Sequence, residues 1–378
     1  MSTSIILLLL LLFFNNAFFF QVQATLSTAA QFELIHRHAP QLSGRGRTLG
    51  PPENRLEGVK QLIHSDDARQ QMISHRRGLR RRRMMGWEAH SRGDFMKIPM
   101  RSAADMGTGQ YFVSFRVGSP RPQKVVLIAD TGSDLTWMHC NYRCHDCWKK
   151  SFLGRAERIF HADLSPSFKT IPCLSNMCKV DLADTFSLSR CPEPMTPCAY
   201  DYKYADGSTI TGFFANETVT VGLGNSQKIR LHDVVIGCSE SWVETSFREL
   251  DGIMGLGYGK HSFAVKAAEK FANKFSYCLV DHLSPSNLVN YLSFGNTTSS
   301  LLPNMQYTEL VLGVISPFYA VNVVGISIGG VMLKIPLQVW DVNGDGGAIL
   351  DSGSSLTFLT EPAYKPLMAA FEASLDEV

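Results

Sequence analysis

The distribution of apolar and polar positions changes twice along the chain. Ile5–Phe20 is an apolar run interrupted by Asn15 and Asn16. It is short for a membrane span, and Val22-Gln23-Ala24 places small residues where a secretory leader is cut, so residues 1–24 read as a signal peptide. From Gly107 onward, short runs rich in Val, Ile and Phe alternate with turns of Gly, Asn, Asp and Ser. Tyr111–Val117, Lys124–Ala129, Thr218–Val221, Val234–Ile236, Tyr319–Ile328 and Ala348–Leu350 are expected strands. Helical spacing is confined to pieces such as Phe263–Phe271 and Ala363–Leu375. The pattern predicts a mostly β protein with a few short helices.

Between these textures, residues 25–106 carry charge in bursts, among them His36-Arg37-His38, His75-Arg76-Arg77 and Arg80–Arg83. Around Asn54–Ile73, Leu56, Val59, Leu62 and Ile63 recur at helical spacing. The net charge of +2 conceals an asymmetry: residues 25–106 hold 15 basic against 8 acidic groups, and residues 107–378 hold 21 against 26. A positive segment behind a leader and ahead of an acidic body reads as a removable propeptide resting on an acidic cleft, with Arg80–Arg83 as a processing site. Few aromatics interleave with the basic residues, which weighs against nucleic-acid binding. At 45% hydrophobic and 19% charged, the composition excludes a disordered chain.

Seven of the nine cysteines fall within residues 140–198, a density that suits an oxidising compartment. Cys140, Cys144, Cys147, Cys173, Cys178, Cys191, Cys198 and Cys238 are disulfide candidates whose connectivity stays open, and Cys278 is left over. Asn216-Glu217-Thr218 and Asn296-Thr297-Thr298 are glycosylation sequons. Cys144-His145-Asp146-Cys147 has metal-ligand spacing, but disulfides are the better reading in a Cys-rich insertion. Asp341-Val342-Asn343-Gly344-Asp345-Gly346 starts like a calcium loop and has Ser352 in place of the closing Glu, so a hairpin loop is expected. No metal or other cofactor is expected, and no His-Glu-x-x-His supports a zinc protease.

The strongest signal is an internal repeat. Residues 128–137 read Ile-Ala-Asp-Thr-Gly-Ser-Asp-Leu-Thr-Trp and residues 349–358 read Ile-Leu-Asp-Ser-Gly-Ser-Ser-Leu-Thr-Phe, identical at six of ten positions. In each block a β-run delivers a carboxylate into a tight turn, where Gly permits the backbone path and hydroxyls can bond the carboxylate. Two carboxylates brought together share a proton. The ionised one can polarise a water while the protonated one donates to a substrate carbonyl. That chemistry hydrolyses an amide without metal or covalent intermediate. Asp134, Asp206 and Glu217 are charged neighbours of the motifs, read either as groups that tune the pair or as solvated turn acids.

Asp130-Thr131-Gly132-Ser133 and Asp351-Ser352-Gly353-Ser354 resemble the paired active-site loops of pepsin-like aspartic proteases. Tyr204-Ala205-Asp206-Gly207-Ser208, followed by Thr211-Gly212, resembles their flap, and Asp251-Gly252-Ile253-Met254-Gly255-Leu256-Gly257 resembles the segment closing the first lobe. The Cys-rich insertion and long basic pro-segment are similar to the plant nepenthesin-like branch. The resemblance implies a bilobal fold with Asp130 and Asp351 as the catalytic pair. Thr131 and Ser352 would cross-bond beneath it, and Ser133 and Ser354 would bond the outer carboxylate oxygens. Trp137 would steady Tyr204 in a flap that closes over substrate. Gly132, Gly353, Asp206, Gly207 and Ser208 complete the expected site.

The expected organisation is a signal peptide (1–24), a basic propeptide (25–106), an N-terminal protease lobe (107–282) with the insertion at about 140–198, and a partial C-terminal lobe (283–378). Only 27 residues follow Asp351, against 127 between Asp130 and Gly257, so the second lobe is expected to be incomplete and the chain a truncated form. The function expected is an acid endopeptidase made as a secreted zymogen. It would act on polypeptides as a glycosylated monomer in the apoplast or vacuole, with no nucleic acid bound in the mature form and no membrane contact after leader cleavage. The alternatives are a binding or inhibitor protein on the same fold, and a DNA-associated protein using Arg80–Arg83.

Overall fold

The computed structural model describes residues 110–143, 159–186, 188, 193–203, 209–223, 227–243, 251–279, 290–295, 306–314, 316–354 and 356–375, and the backbone of residues 96–102. In chain order the strands are β1 (Met96–Ser102), β2 (Tyr111–Val117), β3 (Gln123–Asp130), β4 (Trp137–Asn141), β5 (Phe160–His161), β6 (Lys169–Thr170), β7 (Ala199–Lys203), β8 (Thr209–Gly222) and β9 (Lys228–Val243). They continue with β10 (Gly252–Gly255), β11 (Phe275–Cys278), β12 (Asn290–Phe294), β13 (Leu310–Val311), β14 (Tyr319–Val321), β15 (Ser327–Ile328), β16 (Val331–Met332) and β17 (Ala348–Leu350). The α-helices are α1 (Phe263–Ala268) and α2 (Glu361–Leu375). The expected leader and most of the basic segment lie outside the described residues.

Strands β1 to β12 form one sheet, in which β3 runs between antiparallel β2 and parallel β10. Its near-continuous apolar sequence follows from burial on both faces. Successive side chains of a strand point to opposite faces. Leu127 and Ala129 accordingly enter one core cluster with Phe115, Met254 and Phe263, while Ile128 enters a second with Trp137, Tyr200 and Ile253. The strand carrying Asp130 is therefore wedged between two cores. The strand preceding Asp351 is held differently: β17 pairs with β14, which pairs with β13, in a separate three-stranded sheet.

Three local expectations are revised. Tyr319–Ile328 is two strands, β14 and β15, because β14 extends only as far as its short partners β13 and β17 reach. The first helix stops at Ala268 and not at Phe271: Ala272 and Asn273 take positive φ, which an α-helix does not accommodate. Its start is conventional, with the Ser262 hydroxyl accepting the Val265 amide at 3.2 Å. Residues 96–102, assigned from sequence to the end of the basic segment, form β1, which pairs with β2 on one side and β12 on the other.

Glu217 lies in β8 and is buried. Its carboxylate accepts from the Ser165 hydroxyl at 2.6 Å, from the Ser167 hydroxyl, and from the Thr218 amide at 2.5 Å. Ser165 in turn accepts the Ser119 amide at 3.1 Å, so one carboxylate ties the β2–β3 turn and the 165–167 loop to β8. Replacing Glu217 by Ala leaves buried donors without acceptors and is expected to lower stability by about 3 kcal/mol. Denaturant titration checks this, and a loss below 1 kcal/mol contradicts it.

Two contacts hold one turn of the insertion in place. A single π-type turn, Met177–Leu182, is bonded by the Cys178–Cys198 disulfide to the residue before β7. Asp181 of that turn pairs with Lys260 at 2.6 Å, on the loop after β10. Next to Lys260, burial pushes the His261 imidazole below its ordinary value; the Asp181 charge works against this and the Lys260 charge with it. The folded state thus takes up that proton less readily than the unfolded chain. The stability His261 contributes is present above the unfolded value of about 6.5 and is lost as pH falls below it. His261→Gln is expected to flatten the acid-side slope of the denaturation midpoint between pH 7 and 5, and an unchanged slope counts against this.

Candidate active site

Each aspartate sits where a strand ends and the chain turns sharply. Asp130 closes β3. Its Oδ1 accepts the Gly132 amide at 2.9 Å and its Oδ2 the Ser133 hydroxyl at 2.5 Å. Asp351 follows β17 directly. Its Oδ1 accepts the Gly353 amide at 2.9 Å and its Oδ2 the Ser354 hydroxyl at 2.9 Å. The sequence repeat is therefore a repeat of donor geometry. Each carboxylate is oriented by an amide two residues on and a hydroxyl three residues on, the short-range bonding that Asp and Ser favour in turns.

The two turns are bound to each other. The Thr131 amide donates to Ser352 Oγ at 3.0 Å, and the Ser352 amide donates to Thr131 Oγ1 at 2.9 Å. Each hydroxyl then donates to the opposite strand: Thr131 to the Leu350 carbonyl at 3.3 Å, Ser352 to the Ala129 carbonyl at 2.8 Å. A hydroxyl both accepts and donates, so one small side chain per turn satisfies two backbone groups of the other. Thr131 and Ser352 are buried and 221 residues apart. The grip sets the Asp-bearing turns against one another and leaves the first sealed (Asp130 is 1% exposed) while Asp351 is partly open.

Asp134 and Glu217 are both buried, which overturns the reading of them as solvated turn acids. Asp134 accepts the Gly259 amide at 2.8 Å, and a Cβ on Gly257 or Gly259 would collide with its carboxylate, so these glycines make room for it. It thereby ties the first Asp loop to the segment after β10. Glu217 bonds the serines of the 165–167 loop instead. Trp137 is fully buried, with its ring edge-on to His139 at 5.5 Å. Tyr204, Ala205, Asp206, Gly207 and Ser208 lie outside the described residues; the strands on either side, β7 and β8, pair with Lys203 opposite Thr209.

Among the cysteines, Cys140 of β4 bonds Cys238 of β9, and Cys178 bonds Cys198. Cys173 is also in a disulfide, Cys278 is a free and exposed thiol, and Cys144, Cys147 and Cys191 lie outside the described residues. Asn216 is half-buried within β8, and Asn296 is not described. Asp341–Gly346 is a turn leading into β17, in which Asp341 Oδ1 accepts the Asn343 amide at 3.0 Å. Among the described residues no cluster of His, Cys, Asp or Glu could hold a metal ion.

Sequence reasoning passed over a group of aromatics beside the turns. The Tyr319 hydroxyl donates to the Leu256 carbonyl at 2.9 Å, and its ring lies 5.8 Å from Tyr258 and 5.7 Å from Phe275. Partial burial and the charge of Asp351 both push the Tyr277 phenol above its ordinary value. No spacing rule marks these residues, which converge only through strand pairing.

Comparison with known proteins agrees with this geometry. The family described as "Xylanase inhibitor N-terminal" matches residues 111–296, and "Xylanase inhibitor C-terminal" matches residues 318–378. "Aspartyl protease family protein 2" of Arabidopsis thaliana is 35% identical over 276 residues, covering 71% of this chain and 52% of that protein. "Aspartic proteinase nepenthesin-2" of Nepenthes gracilis is 31% identical over 268 residues, covering 70% and 56%. The chain thus spans about half the length of the curated relatives it matches. The crystal structure of basic 7S globulin from soybean superposes with a TM-score of 0.56 at 16% identity, over 75% of this chain and 70% of that one. Conglutin gamma from lupine seeds gives 0.56 at 17% identity, over 75% and 71%. These two show the fold alone. The two family models together match most of the chain and show the family: the chain belongs to the pepsin-like aspartic protease family, with domains of its xylanase-inhibitor type.

Proposed function

We propose that the protein is an aspartic endopeptidase, in which Asp130 and Asp351 hold a water between them and share one proton. One carboxylate takes a proton from the water as it attacks the scissile carbonyl, and the other donates to the carbonyl oxygen. The observation that carries the reading is the reciprocal bonding of Thr131 and Ser352, which ties two identically oriented carboxylates into one unit. Ser133 and Ser354 keep their outer oxygens fixed, and the segment around Tyr204 would close over substrate to exclude water.

Polypeptides are the substrates. The protein is made with a leader and a basic pro-segment, travels the secretory pathway and works as a monomer after the basic cluster is removed. The mature chain is proposed to begin ahead of Met96, earlier than the boundary at residue 106 drawn from the sequence; the pairing of β1 with both β2 and β12 supports this. No helix among the described residues is long and apolar enough to cross a membrane. The test is cleavage of a denatured protein from pH 3 to 7, with and without a pepstatin-type inhibitor. Inhibitor-sensitive cleavage in the acid range supports the reading. A folded chain that cleaves nothing overturns it in favour of a binding role, such as the inhibition after which the matched families are named.

A further inference from the structure

We propose that Tyr319 is a positioning residue of the active site, a strut that joins the two aspartate turns by a second route. The Thr131–Ser352 grip is the direct route. The other runs through Leu256, whose amide donates to the carbonyl of Asp130 at 2.8 Å and whose own carbonyl accepts the Tyr319 hydroxyl at 2.9 Å. In β14, Tyr319 pairs opposite Leu350, the residue just before Asp351. A continuous path of hydrogen bonds and backbone thus leads from Asp130 to Asp351 through one phenol. The ring is clamped between Tyr258 and Phe275, and the Tyr258 hydroxyl accepts the Gly313 amide at 2.8 Å, so the strut has little freedom to swing.

Electrostatics keep the strut in its donating form. Burial pushes the Tyr319 phenol far above its ordinary value, and the charge of Asp134, with the neighbouring Tyr258 and Tyr277, adds to this. The shift favours the protonated phenol, the form that donates to Leu256. Two routes matter because one set of bonds fixes a contact, whereas two at different points fix an angle as well. Sharing a proton between carboxylates is sensitive to both.

The proposal rests on the peptidase reading, and the test separates the two. Tyr319→Phe keeps the ring and removes the donor. Its expected effect is a fall in kcat of about 10- to 100-fold with KM within about twofold, since the reacting groups shift while substrate contacts remain. The limbs of the pH–rate profile should move closer together, and carbon-13 titration of labelled aspartate, assigned with Asp130→Asn, should show a smaller separation between the two coupled steps. Tyr364→Phe, which removes an exposed tyrosine hydroxyl on α2 that takes no part in this path, should change neither. If Tyr319→Phe is unfolded by near-ultraviolet circular dichroism, Tyr319→Leu, which also lacks the donor, is read in its place by the same criteria. A folded variant with wild-type kcat and unchanged titration overturns the strut and leaves the peptidase standing. If the wild type cleaves nothing, the titration alone decides: a narrowed separation retains the strut without the peptidase, and an unchanged one removes both.

Discussion

Asp130→Asn and Asp351→Asn should each lower cleavage of a denatured protein at acid pH by about 10³-fold or more, while the melting temperature stays within a few degrees of wild type. The loss is large because an acid–base group acting in the transition state contributes about 10²–10⁴-fold, and in the proposed mechanism both carboxylates act on the same water. The stability forecast comes from the local bonds. An Asn carbonyl can still accept the Gly132 or Gly353 amide, and the Ser133 and Ser354 hydroxyls can rotate to accept from the new amide. What the amide cannot do is exchange a proton. The two variants should therefore be equally inactive, and the double variant little worse than either, as expected of residues that act as one unit. Residual activity near wild type in either single variant would remove that residue from the mechanism.

The second large effect concerns the Cys140–Cys238 bond. It closes a separation of 98 residues, for which the chain-entropy relation gives about 4.7 kcal/mol, against about 3.3 kcal/mol for the 20-residue separation of Cys178–Cys198. Cys140→Ala with Cys238→Ala should accordingly move the denaturation midpoint more than Cys178→Ala with Cys198→Ala. Both members of the long-range pair lie in the main core, so small cavities add to the cost. The bond also ties β4 to β9 one turn of the ladder from Trp137, which sits opposite Gly237. Loosening there should be felt by the buried ring as well as by global stability, and Trp137 fluorescence, isolated by replacing the other four tryptophans with Phe, offers a local readout. A smaller loss for the long loop than for the short one would contradict the argument.

Much of the site was legible because its information is local. A carboxylate, a Gly two positions on and a hydroxyl three positions on make a self-contained turn, and its second copy 221 residues later announces a pair. The pairing of Cys140 with Cys238 was not legible, since it depends on β4 and β9 lying parallel with Met138 opposite Cys238. Nor could charge alone reveal that Asp134 and Glu217 are buried: their acceptors are matched by Gly259, Ser165 and Ser167, contributed by distant loops. β1 escaped notice for the opposite reason. Its sequence, Met-Lys-Ile-Pro-Met-Arg-Ser, has a Pro and two charges and follows a basic stretch, so it reads as the end of the basic segment until its partners β2 and β12 are seen. Tyr319 belongs to the same class, a residue defined by what pairing brings to it.

The grip between Thr131 and Ser352 also bears on synthesis. When Thr131 leaves the ribosome, the amide and hydroxyl it must satisfy are not yet made. At about 5–20 residues per second, the 221 residues to Ser352 take about 10–40 s to appear. For that interval β3 can already seat between β2 and β10, but the Thr131 amide and hydroxyl have only water in place of their partners across the grip. Whatever holds the nascent chain during those seconds, whether chaperone or the chain's own basic segment, guards a place that neither copy of the repeat can complete alone.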